Sequence, residues 1–149
     1  MRGGRIDLII DVLRLNGLLV TAGDRMVAQL GLTSTRWQVL RAVIDAEPPQ
    51  PVAWLARDMG GNRQNVQRVV NDLQKMGLVT FEVNPHHRRA SLVVLTDKGR
   101  RTYDEASRLA SAVAERPSQD LAIKDIDTTR RVVAELRKNL ELNGERAPT

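Results

Sequence analysis

The stretch GGNRQNVQRVVNDLQKMG, residues 60–77, has a polar, glycine-rich front and apolar residues at regular spacing behind it. On a helical wheel the apolar residues gather on one side, and amide and basic side chains lie opposite. The stretch therefore predicts an amphipathic helix. Its apolar stripe is Val66, Val69, Val70 and Leu73 with Met76 beside them, and its polar face is Gln64, Arg68, Asn71 and Lys75, flanked by Gln67.

Both ends of this helix carry boundary signals. Asn62 is a good N-cap residue and Gly77 suits the left-handed position after a last turn, so we predict a helix over about residues 63–76. Asparagine and glutamine can pair with adenine through two hydrogen bonds, and arginine can pair with guanine. The exposed face is therefore typical of a helix that reads base edges.

The residues before this helix predict a partner helix over residues 52–59. Ala56 is small at the point where the two helices would touch, and Gly60 can adopt the positive φ of a tight turn. Val66 then anchors the second helix on the first, with Leu55 and Met59 completing a small core. This spacing predicts a helix-turn-helix motif; the alternative is an ordinary helical hairpin with a polar surface helix.

Two short β-like runs follow, over residues 78–83 and 91–96. Val79, Phe81 and Val83 alternate with polar residues, which predicts a half-buried strand. The connection NPHHRRA, residues 84–90, holds two histidines, two arginines and no acid. A helix-turn-helix followed by a basic β-hairpin is a winged helix, whose wing would reach phosphates or a minor groove.

The rest of the chain is predicted to be helical. Residues 5–30 form a helix that is apolar on two sides and hence buried on two sides, one of which can belong to a partner subunit. Thr33 caps a helix over residues 34–46, and EPPQP, residues 47–51, breaks the helical pattern. Thr96 caps a helix that reaches about residue 115, where Pro117 ends it, and a last helix covers residues 125–142. The inward residues of the second helix are Trp37, Leu40, Val43 and Ile44.

Composition limits the function classes. The 149 residues suit a single domain, and the absence of cysteine excludes disulfides, thiolate catalysis and cysteine-based zinc sites. Residues 57–101 carry nine basic and four acidic residues, which indicates a polyanionic partner or a solubilising surface. The most apolar stretch, residues 8–20, is too short and too charged to span a membrane and lacks the features of a signal peptide, so we expect a cytoplasmic protein.

These motifs resemble the MarR family of bacterial transcription regulators. The blocks LTSTRWQVLRAV (32–43), LARDMGGNRQNVQRVVNDLQKMGLV (55–79) and NPHHRRASLVVLTDKGR (84–100) match it in order and spacing. The resemblance implies a mainly α (α+β) fold, with a winged helix-turn-helix over residues 33–96 and dimerisation helices over 5–30 and 97–142. It also implies a homodimer that binds a near-palindromic site in double-stranded DNA, usually as a repressor released by a small-molecule effector.

The resemblance makes residues 62–71 the recognition helix that enters the major groove, and the basic hairpin tip adds further candidate contacts. Arg89 falls at the wing-tip arginine of the family, but His87 replaces the aspartate that usually orients that arginine. This departure could strengthen phosphate contact, leave Arg89 less well positioned, or make binding sensitive to pH. The DNA-binding residues are Asn62, Arg63, Gln64, Asn65, Gln67, Arg68, Asn71, His86, His87, Arg88 and Arg89.

Other kinds of site receive less support. The two adjacent histidines have no nearby carboxylate cluster to complete a metal site, so we expect no metal. No catalytic constellation and no phosphate-binding glycine loop stand out, so we expect no cofactor and no enzymatic activity. Trp37 can belong to the core or contact a ligand, and Trp54 can be exposed or line an effector cleft. A winged helix that binds another protein, without specific DNA binding, is the alternative function.

Overall fold

The computed structural model describes residues 3–145, which are mostly helical with one two-stranded antiparallel sheet. The predicted mainly α architecture is confirmed, and each predicted element ends within three residues of its expected bounds. The elements are α1 (Gly4–Val27), a 3₁₀ turn (Ala28–Leu30), α2 (Ser34–Asp45), α3 (Val52–Met59), α4 (Arg63–Lys75), β1 (Val79–Glu82), β2 (Leu92–Leu95), α5 (Asp97–Ser118) and α6 (Ile123–Glu145).

The chain falls into two compact units, residues 1–112 and residues 113–149. The first unit holds α1 to α4, the sheet and most of α5, and the second holds the end of α5 and α6. The hydrophobic core of the described residues lies wholly in the first unit. No helix among residues 3–145 is both long enough and apolar enough to cross a membrane.

Helix α2 lies at the centre of the core, where it packs against α1, α3, α4 and β2. The Thr33 hydroxyl caps it by accepting a hydrogen bond from the Arg36 N–H at 3.1 Å, as predicted. Because α2 has neighbours on several sides, its buried arc is wider than the predicted stripe and includes Val39 and Ala42. Trp37 and Ile44, predicted to face inward, are only partly buried at the edge of this core.

The predicted helix-turn-helix is formed by α3 and α4. Gly60 has a φ of 66° in the turn, and the Gly61 N–H donates to the Ala56 carbonyl at 2.8 Å. Any other residue at position 60 would have to hold its backbone in the left-handed conformation that only glycine adopts readily. Ala56 and Val66 are buried where the two helices meet, so the small core predicted for this motif is present.

The wing is an antiparallel hairpin whose register runs from Val79 opposite Leu95 to Glu82 opposite Leu92. The prediction that Val83 points inward is wrong: its side chain is 80% exposed. The strand pairing ends at Glu82, so the alternation of inward and outward side chains ends there too.

The connection between α2 and α3 contributes to this hairpin, although its sequence was expected only to break a helix. The Gln50 carbonyl accepts a hydrogen bond from the Val93 N–H at 3.0 Å. Pro51 forms an isolated antiparallel bridge with Leu92. The tip-side end of β2 is therefore attached to the residues just before α3.

Helix α5 begins as predicted and ends later than predicted. The Thr96 hydroxyl accepts from the Gly99 N–H at 3.0 Å and so caps the first turn. Pro117 does not end the helix, which continues to Ser118. A proline in the last turn removes a single backbone hydrogen bond, and the Ser118 hydroxyl supplies another by donating to the Ala114 carbonyl at 2.7 Å.

A hydrogen-bonded arginine joins α2 to α5. The Arg41 guanidinium donates to the Asp45 carboxylate at 2.8 Å and to the Tyr103 hydroxyl at 3.0 Å. These hydrogen bonds, the one to Asp45 first, raise the pKa of Arg41 above its already high ordinary value. The Arg41 side chain thus ties α2 to α5 across the chain segment that carries the helix-turn-helix and the wing.

Helix α1 was expected to be buried on two sides, but within the described chain it is mostly exposed. Only its last residue, Val27, is buried. Near its C-terminal end, α1 is joined to α2 by Asp24, whose carboxylate accepts a hydrogen bond from the Ser34 N–H at 2.7 Å. Met26 also packs partly against the core, but over residues 6–19 the large apolar side chains of α1 stay exposed among the described residues. The exposed side chains are Ile6, Leu8, Ile9, Ile10, Val12, Leu13, Leu15, Leu18 and Leu19.

Candidate nucleic-acid interface

Helix α4 buries one face and exposes the other, as its sequence predicts. Val66, Val69, Val70 and Leu73 are buried against the core. The opposite face is exposed at Gln64, Arg68, Asn71 and Lys75, and Gln67 at its flank is partly buried. A row of amides and cations thus lies in solvent on a helix held from behind by a packed apolar stripe.

The residues at the start of α4 divide between capping and exposure. The Asn62 side-chain carbonyl accepts from the Gln64 N–H at 2.8 Å and from the Asn65 N–H at 3.2 Å. This oxygen is therefore used for the N-cap, which leaves the amide NH₂ of Asn62 for any contact outside the chain. Arg63, which follows, is exposed.

Polar side chains on α4 also order one another. The Gln67 amide donates to the Asn71 side-chain oxygen at 2.9 Å, and the Arg68 guanidinium donates to the Asn65 side-chain oxygen at 3.4 Å. Each pair lies on adjacent turns of the same face, where side chains three or four positions apart meet. Groups that are held before binding lose less conformational freedom when they bind.

The wing tip presents its four basic or titratable side chains to solvent. His86, His87, Arg88 and Arg89 are all exposed. The His87 carbonyl accepts from the Ala90 N–H at 3.0 Å, which closes a turn around the two arginines. The backbone shapes this tip, and no carboxylate occurs among residues 83–91.

A cleft of about 280 Å³ separates the wing from α4. It brings together four residues that were predicted separately from the helix and the hairpin: Arg63, Gln67 and Asn71 on one wall, and Arg89 on another. The other predicted residues lie outside the cleft, on the exposed face of α4 or at the wing tip. The remaining lining is Pro51, Val52, Ala53, Phe81, Ala90 and Ser91.

Sequence reasoning missed the residues that hold the C-terminal end of α4. The Lys98 ammonium donates to the Met76 carbonyl at 2.9 Å, and the Thr96 hydroxyl donates to the Gly77 carbonyl at 2.7 Å. Gly77 has the predicted positive φ, 75°. These contacts attach the C-terminal end of α4 to the start of α5. The only sequence signal nearby was the LTDKG run, residues 95–99, which indicates the cap of α5 and not a contact with α4.

A second attachment holds α4 from the side of α2. The Arg36 guanidinium donates to the Gly31 carbonyl at 3.0 Å and forms an ion pair with Asp72 at 3.3 Å. Arg36 and Asp72 are 36 positions apart in sequence. No local pattern indicates that they meet, because side-chain spacing on one helix carries no information about the other.

The two tryptophans lie in different surroundings. Trp54 on α3 is 39% exposed. Trp37 is partly buried against the core, and its indole N–H finds no hydrogen-bond acceptor among the residues that the structure describes. Over residues 3–145 no group of three histidine, aspartate or glutamate side chains comes together as a metal site would require.

Comparison with known proteins identifies relatives in sequence and in fold. The model of the MarR family matches residues 30–90, which span α2, α3, α4 and most of the wing. An uncharacterized protein of Mycobacterium tuberculosis is 43% identical over 109 residues, which cover 73% of this chain and 75% of that protein. A protein of Mycobacterium bovis matches to the same extent.

Solved structures share the fold at low sequence identity. A MarR-family transcriptional regulator from Rhodococcus sp. superposes with a TM-score of 0.80 at 20% identity, covering 89% of this chain and 94% of that one. CouR from Rhodococcus jostii, bound to p-coumaroyl-CoA, has a TM-score of 0.79 at 22% identity, with 87% and 91% covered. With the family match, the close mycobacterial relative and the winged helix-turn-helix described above, this chain belongs to the MarR family of transcriptional regulators.

Proposed function

We propose that this protein is a sequence-specific regulator that binds double-stranded DNA through α4 and the wing. The observation that carries the proposal is the cleft that Arg63, Gln67 and Asn71 of the helix line together with Arg89 of the wing. An α-helix fits the major groove, and a basic wing beside it reaches phosphates or the adjacent minor groove. Such a regulator acts where the chromosome lies, so a cytoplasmic location is part of the proposal.

Affinity and specificity come from different residues in this proposal. Lysines and arginines displace counterions along the phosphates, which gives salt-dependent affinity without sequence preference. Base edges are read by the exposed face of α4. The residues assigned to bases are Gln64, Gln67, Arg68 and Asn71, with Arg63 and Asn65 near the helix start; Asn62 caps the helix, and His86, His87, Arg88 and Arg89 contact the backbone or minor groove.

A second copy of the chain completes the proposed regulator. The exposed apolar side chains of α1 run along most of its length, and α6 exposes Val132, Val133 and Leu140. Apolar surface of this extent on a soluble chain marks an interaction site. A homodimer would cover it and would present two copies of α4 to a near-palindromic site whose half-sites lie about one helical turn apart.

Regulation by a small molecule is the last part of the proposal, with the protein as a repressor that the ligand releases. One structural relative, CouR, is bound to p-coumaroyl-CoA. The unpaired indole N–H of Trp37 and the exposed ring of Trp54 are the groups assigned to an effector. An effector acts by favouring a dimer whose two recognition helices no longer match the half-site spacing.

The proposal is tested by fluorescence anisotropy on duplex DNA from the intergenic region beside the protein's own gene, with a scrambled duplex as control. We expect tight binding to the first duplex only, and an affinity that falls with salt at a log–log slope of about −0.9 for each phosphate neutralised. Sedimentation at twice the chain mass of 16.6 kDa tests the dimer. Tryptophan fluorescence that stays unchanged with every compound that releases DNA would remove the effector assignment.

Replacing Arg68 with alanine should weaken specific binding by roughly 1–3 kcal/mol and relax the preference at one base position. Arg68 is exposed on α4 and held by Asn65, so its guanidinium is placed for a base edge. Binding to a panel of single-base variants of the duplex measures the effect. The control is Arg130→Ala, which removes an equal charge from the exposed surface of α6. Unchanged base preference in Arg68→Ala would refute its base-reading role.

Replacing Arg89 with alanine should weaken binding to both duplexes and make the salt slope shallower by about 1. Arg89 is exposed on the wing, where a cation contacts phosphates or a minor groove and reads little of the base sequence. The salt series on the specific and scrambled duplexes measures this. Loss of discrimination at a single major-groove base would contradict the assignment.

The alternative function is a winged helix that binds another protein. It predicts that the specific and scrambled duplexes bind equally weakly, or not at all even at low salt. In that case Arg68→Ala and Arg89→Ala would leave binding to both duplexes as weak as it is for the unaltered protein.

A further inference from the structure

We infer that Asn84 is the positioning residue of the wing: its buried side chain sets the shape of the tip and thereby directs Arg89 toward DNA. The consequence for DNA rests on the function proposed above. Asn84 lies just after β1 and is only 8% exposed. Its neighbours on both sides, Val83 and Pro85, are exposed. Among the described residues, the only other polar residue buried to this degree is Ser34.

Asn84 accepts two hydrogen bonds from the tip that follows it. Its side-chain oxygen accepts from the His86 N–H at 3.0 Å, and its backbone carbonyl accepts from the His87 N–H at 3.2 Å. An asparagine side chain that binds the amide two residues later forms a turn of its own, and the proline between them restricts the backbone further. The chain direction after β1 is therefore set by this one residue and Pro85.

A third hydrogen bond continues from this turn to the arginines. The His87 carbonyl accepts from the Ala90 N–H at 3.0 Å, so the turn that encloses Arg88 and Arg89 begins where the turn made by Asn84 ends. Ala90 and Arg89 both line the cleft beside α4. A change in the first turn is thus passed through the backbone to the wall of the cleft.

Arg89 depends on the backbone for its placement. Over residues 3–145 its guanidinium has neither a hydrogen-bond acceptor nor an ion-pair partner, and the tip contains no acid that could hold it. An unpaired arginine on a loose loop would sample many directions, and ordering it on binding would weaken association. The buried side chain of Asn84 reduces that loss by ordering the loop beforehand.

The test compares three variants, Asn84→Ala, Asn84→Asp and Val83→Ala, by amide hydrogen exchange of the free protein and by DNA anisotropy. Asn84→Ala removes the acceptor, so exchange at the His86 N–H should become roughly fivefold faster or more. Asn84→Asp keeps an acceptor at the same position, so it should restore slow exchange. Val83→Ala truncates an exposed neighbour and should leave exchange unchanged.

The DNA measurements use the same proteins. Asn84→Ala should lower affinity for both duplexes and reduce the salt slope by about 1, as loss of one phosphate contact would. Base preference should stay the same, because α4 is not altered. Asn84→Asp should recover part of this slope, whereas a variant that is merely less stable would show an unchanged slope with a smaller active fraction.

The outcomes separate this inference from the proposed function. Unchanged exchange at His86 in Asn84→Ala, or exchange as fast in Asn84→Asp as in Asn84→Ala, would overturn the positioning role whatever the protein binds. Faster exchange with an unaltered salt slope would overturn the link to Arg89. If the unaltered protein bound no DNA, the proposed function would fail, while the exchange arm would still decide whether Asn84 orders the tip.

Discussion

A Gly99→Ala variant should lose about 3 kcal/mol or more of its free energy of unfolding, because the added methyl group has no space. An alanine Cβ at position 99 would clash with the Leu78 backbone carbonyl oxygen and lie 2.8 Å from Cδ1 of Leu95. Overpacking a rigid core costs about 1–3 kcal/mol and more where backbone must move. The Leu78 carbonyl cannot move freely, since it also accepts from the Thr96 N–H at 3.1 Å.

The Gly99→Ala substitution should affect the proposed DNA-binding face as well as the stability of the protein. Gly99 lies in the first turn of α5, beside the contacts from Thr96 and Lys98 that hold the C-terminal end of α4. A shift of α5 away from Leu78 would pull on these contacts. We therefore expect Gly99→Ala to bind DNA more weakly even at a temperature where most of the protein is folded.

Urea denaturation at a fixed protein concentration measures the effect, because the proposed dimer would unfold in a concentration-dependent way. The matched control is Gly144→Ala. Gly144 lies in the last turn of α6, and none of the described residues comes within 4 Å of the position of its Cβ, so alanine there should not destabilise the protein. If both variants were equally stable, the close approach of Gly99 to Leu78 would not matter for folding.

A Leu73→Ala variant should lose about 2–5 kcal/mol of its free energy of unfolding, the usual range for a fully buried leucine. The Leu73 side chain is 0% exposed on the inner face of α4. Removing it leaves a cavity behind α4, and the cost is largest if the surroundings cannot collapse into that cavity. Since this stripe holds α4 against the core, we also expect weaker specific DNA binding.

The control for this prediction is the next residue, Gln74, which is exposed. Gln74→Ala should change the free energy of unfolding by no more than about 0.5 kcal/mol, as surface substitutions away from special features usually do. Urea denaturation of both variants under the same conditions makes the comparison. A cost below about 1 kcal/mol for Leu73→Ala would mean that α4 is not anchored by this stripe.

The sequence by itself determined the elements whose causes are local. The apolar spacing of α4, the cap at Asn62 and the positive φ of Gly60 and Gly77 each depend on a few consecutive residues, and each is present as predicted. Helix α2 begins at its predicted cap, Thr33, for the same reason. The alternation of buried and exposed side chains along β1 and the basic hairpin tip likewise follow from short-range patterns. The winged helix-turn-helix could therefore be predicted from the sequence.

Only the tertiary structure decided which distant residues meet. The ion pair of Arg36 with Asp72, the pairing of Gln50 with Val93 and the close approach of Gly99 to Leu78 join positions that no spacing rule connects. Burial of Asn84 is of the same kind, because an Asn-Pro pair indicates a turn but not a buried one. These features depend on how preformed elements pack, and packing is set by the shapes of surfaces that come from separate parts of the chain.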